Sequence, residues 1–504
     1  MGILLGRQPV RPLPDGRGSV TGGRGSVTPM SVAAVLLLAC CGVLTAQPRH
    51  GVRPERLVIR GATVVEGNGT PASGPLDIAV ENGIIVTVGR VAKQAGDVEI
   101  DGKGKYVLPG LINMHGHLHN ERGGVPMDYN YVLKLWLACG ITTVRDVGSP
   151  LTQALTVRAK GETGEIAAPR LFIYPMLGRV RDPGAARRRV QEIKKAGADG
   201  LKIVGTWRDT MDAALTEAHS LGLPVAHHIG VEETRAEDAI RNRVASIEHW
   251  YGIPDAAIPG GVQNFPSTYN YLNEADRFRY AGRLWREADW DRLMKLFDSM
   301  IANNVAWDPT LEIYEASRDL QRAQTQPWFR DYLHPVLEDF FRPNLENHGS
   351  YFLNWSTTDE AFWKENFQIW MRAVREFARR GGVVSIGEDA GYIYQMYGFG
   401  MIRNLELHQE AGFHPLQIVQ QATLNGARVL GQEGKLGRVR AGWAADLLVV
   451  DGNPLEDFKL LYPAAANAGV KPGLVWTIKG GIPYSPPQLM QEVKAMVEKA
   501  RLVK

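Results

Sequence analysis

Apolar and polar residues follow two different rhythms along this chain. From Arg56 the period is two. The stretches RLVIRGATVV, PLDIAVENGIIVTVG and DVEIDGKGKYVLPG alternate or run apolar and are broken by Gly and Asn, which predicts short strands. The same rhythm returns late, in Ala445–Asp451, followed by the turn Gly452-Asn453-Pro454, and in Leu474–Ile478. Strands at both ends that enclose a long middle predict a small β domain, read as a β-sandwich, assembled from residues 47–109 and 433–504.

Residues 110–432 change rhythm. Apolar strand candidates Leu111–His115, Thr142–Asp146, Arg170–Tyr174, Gly200–Val204, Pro224–His228, Ser246–His249, Ala306–Pro309 and Val383–Gly387 alternate with helical stretches such as Ala185–Ala196 and Asp209–Leu221. Eight strands alternating with helices predict an α/β fold of the (β/α)8 TIM-barrel type, in which reactive groups stand at the C-terminal strand ends. One interval breaks the pattern. The chain between His249 and Val383 is about twice what two strand–helix units need. It holds eight of the twelve tryptophans: Trp250, Trp285, Trp290, Trp307, Trp328, Trp355, Trp363 and Trp370. Packing of extra helices onto the barrel is the favoured reading for most of them, and a lid or pocket over its mouth is the alternative.

Composition narrows the class. With 504 residues, 44% hydrophobic and 22% charged, the chain is an ordinary globular protein with room for a large and a small domain. The net charge is +3, and much of the basic excess lies early, in Arg7, Arg11, Arg17 and Arg24. No basic patch interleaved with aromatics supports nucleic-acid binding. Three cysteines, Cys40, Cys41 and Cys139, build neither a disulfide framework nor a cysteine zinc site.

Residues 1–46 read as a leader. GRGSV occurs at Gly16–Val20 and again at Gly23–Val27, a Gly-, Arg- and Ser-rich stretch expected to be disordered. Met30 is an alternative initiator. The uncharged run Ser31–Ala46 falls short of the roughly 20 residues of a membrane span. Arginines before it and small residues after it predict a signal peptide cleaved at Ala46. Leu37-Leu38-Ala39-Cys40 resembles a lipoprotein cleavage box, which puts a lipid anchor on Cys40. Either way the protein is expected to be exported: periplasmic, secreted or lipid-anchored. The alternative is a buried apolar segment of a cytosolic protein.

The chemistry lies at the predicted strand ends. His115 and His117, two apart in a strand, share a face and can hold one metal ion. Lys202 lies within the apolar Gly200–Val204, where desolvation lowers an amine's pKa. Such an amine can add carbon dioxide and become a carbamate, an anionic oxygen ligand able to bridge two metals; a lysine snorkelling to solvent is the alternative. Of His227 and His228 only one can point inward, and the small Ala226 on the same face favours His228, leaving His227 packed under a helix. His249 ends Ser246–His249. Asp389 follows Val383–Gly387 and offers a carboxylate for metal binding and proton transfer. Each is unremarkable alone; their succession at the ends of different strands is not.

The sequence resembles the amidohydrolase superfamily from Arg56 to about Tyr484. PGLINMHGHLH, GLKI, PVAHHIG, SIEHW and GEDAG are similar to its metal-binding strand ends. ATLNGARVLG and GKLGRVRAGWAADLLVVDGNPLED are similar to its closing helix and its return into the small β domain. Within the superfamily the chain most resembles the imidazolonepropionase-like and Xaa-Pro dipeptidase-like branch. The resemblance implies that His115 and His117 hold a more buried metal, His228 and His249 a second, and Lys202, as a carbamate, bridges the two. Asp389 then binds the first metal and shuttles protons. Zinc is the default ion for a His-rich hydrolytic site, with one or two ions. Three positions depart from the pattern: Glu388 stands where Thr is usual, adding a negative charge close to the site; His227 precedes His228; and His119 is either a loop histidine, the favoured reading, or a group near the substrate.

The implied activity is hydrolysis of an amide C–N bond in a dipeptide, an N-acyl amino acid or a cyclic amide by a metal-activated water. A lactonase or phosphotriesterase on the same centre is the alternative, and a non-catalytic binding protein on the barrel is a further one. The expected partner is a small molecule or short peptide, with no nucleic acid and no membrane span.

Overall fold

Residues 46–230, 234–261, 263–270, 273–345, 347–465 and 471–503 are described by the computed structural model. The leader features, the GRGSV repeat, Met30 and Cys40, lie outside the described residues. No helix among the described residues is long and apolar enough to cross a membrane.

The strands follow the two rhythms. The first five are β1 Arg56–Val64, β2 Ser73–Glu81, β3 Ile84–Gly89, β4 Val98–Asp101 and β5 Lys105–Pro109. The middle contributes β6 Leu111–Gly116, the short hairpin β7 Glu121–Arg122 and β8 Val125–Pro126, then β9 Ile141–Val147 and β10 Arg170–Tyr174. It continues with β11 Leu201–Val204, β12 Val225–His228, β13 Ser246–Glu248 and β14 Ala306–Asp308. The chain closes with β15 Leu447–Asp451, β16 Leu474–Lys479 and β17 Ile482–Tyr484.

Both ends of the chain meet in one mixed sheet, in the order β17-β16-β15-β5-β1-β2-β3 with β4 beside β1. The seam is the antiparallel pairing of β5 with β15, Pro109 opposite Leu447 and Val107 opposite Val449. Alternate residues of these strands, among them Leu57, Ile59, Ile78, Val107, Leu447 and Val449, gather in one apolar cluster, as a period of two requires.

The middle is a parallel α/β arrangement. One sheet runs β10-β9-β6 and another β11-β12-β13-β14, with helices between consecutive strands. Backbone bonds continue past the edges of both. Lys202 donates to Pro175 O at 2.9 Å and accepts from Leu177 N at 2.9 Å, which brings β11 beside the end of β10. On the other side Trp307 N donates to Val383 O and Met114 N to Ile386 O, so the segment 383–389 lies between β14 and β6.

The predicted strand Val383–Gly387 is not a regular strand; only Val384 makes a ladder bridge, to Trp307. The reason is Asn113. Its side-chain oxygen accepts both His115 N and Glu388 N at 3.1 Å, replacing backbone partners just where the ladder would continue. The register of β6 with β9 also shifts between Asn113 and Gly116. Ile112 and Met114 therefore face an inner apolar cluster with Tyr174 and Ala226, while His115 and His117 line the cavity above it.

Strand alternation sorts the remaining side chains. Val144, Leu201, Ile203, Val225, Ile247 and Trp307 belong to the large core shared with the helices. The opposite parity of the same strands carries Arg145, Lys202, Ser246, Glu248 and Asp308, all buried. The helices form where caps and apolar spacing coincide. Pro183–Lys195 starts on Asp182, which accepts Ala185 N, and buries Ala186, Val190 and Ile193 at the three-to-four spacing of one face. In the long interval, Thr357–Arg379 starts on a Ser356–Asp359 capping box and buries Trp363, Phe367 and Trp370. Trp250, Trp285, Trp307, Trp363 and Trp370 are wholly buried, and none of the eight tryptophans lines the cavity of the predicted residues.

Gly387 sits at the closest approach of 383–389 to β6. A Cβ there would lie 2.4 Å from His115 Cβ and 2.5 Å from His115 N. Gly387→Ala is expected to cost about 2–3 kcal/mol, as overpacking of rigid backbone does. Urea denaturation of the full chain measures it, and an unchanged midpoint would contradict the close approach.

Candidate metal centre

His115, His117, Lys202, His228, His249 and Asp389 all line one cavity of about 240 Å³. His115, His117, His228 and His249 stand at the C-terminal ends of their strands or just beyond them, Lys202 lies within β11, and Asp389 follows the irregular segment 383–387. His117 Nε2 lies 2.8 Å from Asp389 Oδ1, and His115 Nε2 lies 3.7 Å from the same oxygen. His249 Nε2 is 3.7 Å from Asp389 Oδ2. Lys202 Nζ is 3.4 Å from His115 Nε2. The ring of His228 packs 4.5 Å from that of His249.

This donor set fits a metal. One ligand atom from each of His115, His249 and Asp389 falls within 4.8 Å of the others. The far ring nitrogens are already engaged: His115 Nδ1 with Glu248 Oε2 at 2.7 Å, His249 Nδ1 with Thr310 Oγ1 at 2.6 Å. When Nδ1 carries the proton, Nε2 turns a lone pair to the cavity, the arrangement found around ligating histidines. Burial, then the charge of Lys202 and neighbouring rings, holds His115 and His228 well below the ordinary imidazole range. Burial and the rings of His228 and His115 do the same for His249. Neutral imidazole is the ligating form. Burial also pushes the Lys202 amine down to about 8, against the pull of Glu248, Asp389 and Asp308.

Backbone geometry aims two of these groups. His249 and Asp389 have φ of 60° and 49°, left-handed values that non-glycine residues adopt at a cost and that cluster at functional sites. Asp389 is held there by its N–H, which donates to His115 O at 2.8 Å.

His227 and His228 divide as the small Ala226 suggests. His228 lines the cavity. His227 is fully buried, and its ring nitrogens have no hydrogen-bond partner among the described residues; burial and Lys202 push it down to about 3. His119 stacks on His117 with ring centroids 5.3 Å apart. It lies in the loop between β6 and β7, as the favoured reading has it, with its nitrogens facing Tyr397 OH at 2.6 Å and Tyr392 OH at 3.3 Å.

Glu388 corrects an expectation. Its carboxylate does not add charge to the cavity. It accepts the indole N–H of Trp136, Gly398 N at 2.7 Å and Met401 N at 3.2 Å, at the start of the helix Phe399–Glu410. Glu388 faces away from the cavity, and the left-handed backbone at Asp389 turns the next carboxylate toward it.

The supporting charges were not singled out in the sequence. Arg145 donates to both oxygens of Glu248 at 2.8 Å, to Met114 O at 2.6 Å and to Ser246 Oγ at 2.8 Å. Asp308 accepts from Ser385 Oγ at 3.0 Å. The available signal was a charged residue inside an apolar strand, as in TVRDV, SIEH and AWDP.

Comparison with known proteins agrees with this geometry. A family model described as Amidohydrolase family matches residues 357–481. That segment is similar to the amidohydrolase family. The chain is 31% identical over 205 residues to the allantoinase of Rubrobacter xylanophilus, covering 38% of this chain and 43% of that enzyme. It is 44% identical over 68 residues to the dihydroorotase of Trichlorobacter lovleyi, covering 13% and 15%. The match thus spans less than half the length of either curated relative. Among solved structures, a Xaa-Pro dipeptidase with bound methionine in the active site superposes with a TM-score of 0.61 at 22% identity, over 85% of this chain and 100% of that one. A bottromycin amidohydrolase does so with 0.64 at 18% identity, over 92% and 95%. These two likenesses concern the fold alone.

Glu388→Ala leaves buried N–H donors without an acceptor. It is expected to cost about 3 kcal/mol in stability, read by denaturant unfolding, while metal content by elemental analysis stays at the wild-type level. A variant of full stability that loses metal would put Glu388 in the metal site instead.

Proposed function

We propose that this chain is a metal-dependent hydrolase that cleaves an amide C–N bond in a small substrate: a dipeptide, an N-acyl amino acid or a cyclic amide. One observation carries the reading. Nε2 atoms of His115, His117 and His249 and the carboxylate of Asp389 converge, with the buried amine of Lys202, in a single cavity. The match of residues 357–481 to the amidohydrolase family model supports hydrolysis, and the end-to-end likeness in fold to a Xaa-Pro dipeptidase supports that branch. We also read the parallel strands as a closed (β/α)8 barrel. The reading is supported by backbone bonds from Lys202 to Pro175 and from Met114 to Ile386, which link the two parallel sheets on both sides. The mixed sheet of the chain ends is then the small domain, built from 47–109 and 433–504. Export remains our inference from the leader.

In this reading His115, His117 and Asp389 hold one divalent ion, His228 and His249 a second, and Lys202 joins them as a carbamate; zinc is the ion this nitrogen-rich set favours. When bound, the metal acidifies a water and polarises the substrate carbonyl. The rest falls to the chain's own residues. Lys202 forms the carbamate when its neutral nitrogen attacks the carbon of CO2 and sheds a proton. Its pKa of about 8 supplies enough free amine near neutrality. Asp389 accepts a proton from the attacking water and returns it to the departing nitrogen as the C–N bond breaks. Glu248 and Thr310 fix the ring orientation of His115 and His249. A cavity of about 240 Å³ suits a substrate of one or two residues rather than a polymer.

Lys202→Ala is expected to remove one or both metals and abolish turnover; full metal occupancy and full rate would overturn the bridging role. Asp389→Asn is expected to keep much of the metal yet lose about 10²–10⁴-fold in rate. The direct test is a panel of dipeptides, N-acyl amino acids, cyclic amides, lactones and phosphotriesters against the zinc-reconstituted mature protein. Cleavage confined to the lactones or phosphotriesters would replace the amide reading.

A further inference from the structure

One wall of the cavity plays no part in holding a metal. Arg277, from the helix Glu274–Ala281, and His348 line the same cavity as His115 and Asp389. A single carboxylate organises both. Arg277 Nη2 donates to Glu274 Oε1 at 3.0 Å, and His348 Nδ1 lies 3.1 Å from Glu274 Oε2. The guanidinium also lies over the Phe278 ring, 5.2 Å from its centroid, and Phe278 packs 5.5 Å from the His348 ring. Long polar side chains fixed in this way lose their freedom before a ligand arrives, which favours binding.

The wall is close to the reacting end. The His348 ring stands 5.4 Å from that of Tyr392, which in turn stands 5.5 Å from that of His117. A single ring therefore separates the basic wall from the metal-facing histidines. After burial and Lys202, the guanidinium of Arg277 also disfavours protonation of His228. The rim differs. Met176 and Val204 line the cavity and are 42% and 44% exposed, which places apolar surface at two adjoining strand ends within reach of a ligand side chain.

Building on the amide-hydrolase reading, we propose that the substrate is an anionic amide, an N-acyl amino acid or dipeptide. Its free carboxylate docks on Arg277 and His348, and its apolar side chain lies against Met176 and Val204. A guanidinium matches a carboxylate with two parallel N–H bonds, and Glu274 sets its plane. The short step from this wall to His117 suits an α-amino-acid carboxylate, one residue away from the bond to be cut. Neutral cyclic amides offer this wall no carboxylate and are poor ligands.

Calorimetry on the zinc-loaded full chain tests this with two probes, N-methanesulfonyl-L-leucine and its carboxamide, in which a sulfonyl replaces the scissile carbonyl. The acid is expected to bind about tenfold or more tightly than the carboxamide, the value of a charge-assisted bond. Arg277→Met should bring the two within about twofold, and Arg277→Lys should keep part of the preference. If Arg277→Met does not fold, His348→Gln serves as the second variant, with a smaller loss of preference. Equal binding of acid and carboxamide by the wild type, or a preference that survives Arg277→Met, overturns the proposal. Selective binding of the acid by a protein that hydrolyses no amide would instead defeat the hydrolase reading and leave the docking wall standing.

Discussion

The centre of this molecule depends on a buried ion pair. Arg145 and Glu248 are both fully enclosed, and enclosing two charges costs several kcal/mol each unless every donor and acceptor is matched. Here they are matched closely. Arg145 reaches Met114 O, Ser246 Oγ and both Glu248 oxygens, and Glu248 in turn takes the Ser246 hydroxyl and His115 Nδ1. The pair therefore does more than offset its own desolvation. It ties β9 to β6 and β13 and leaves His115 one way to present its lone pair. It also supplies the negative charge beside which an enclosed Lys202 is tolerated.

Strand alternation makes that arrangement possible, and one interruption makes it useful. Outward positions of β9, β11, β12, β13 and β14 are mostly apolar and carry the helices, and Arg145, Lys202, Glu248 and Asp308 fall on the inner parity; Asp146, on the other parity of β9, takes the Ser149 hydroxyl. In β6 alone the parity must change, because Ile112 and Met114 fill the apolar floor while His115 and His117 stand above it. Asn113 effects the change by accepting the backbone N–H groups of His115 and Glu388. A side-chain amide in place of a ladder partner is why 383–389 is irregular, and the same irregularity frees Asp389 to turn toward the cavity.

The repeating part of this was legible in the sequence. Strand positions from Leu111 to Ala306 fall within a residue or two of their predicted places, because a run of β-branched residues between polar turns carries its own signal. The candidate residues His115, His117, His228, His249 and Asp389 were readable because each stands at or just past the end of such a run, and Lys202 because it is a lone charge inside one. Less was legible where position depends on distant partners. Glu388 read as a charge near the site because sequence does not announce a helix N-terminus folded back upon it. Arg145 and Glu248 looked like ordinary charges, since their pairing joins strands 103 residues apart. Arg277 and His348 belong to the long interval after β13, where no period places one residue against another 71 positions away, yet both meet at Glu274.

The neighbours Glu388 and Asp389 show how folding and site geometry are coupled. Burial pushes Glu388 up to about 8 even though N–H groups of Trp136, Gly398 and Met401 favour its anion, so its place is set by those donors and not by solvent. Once Glu388 is anchored outward, the chain direction and the bond from Asp389 N to His115 O leave Asp389 only a left-handed φ of 49° by which to reach His117. The strain at Asp389 is thus carried by interactions on the far side of the strand, in a helix cap that touches no cavity atom. A carboxylate held in this way cannot relax away from the cavity without breaking that cap, which suits the proton-transfer role proposed for Asp389.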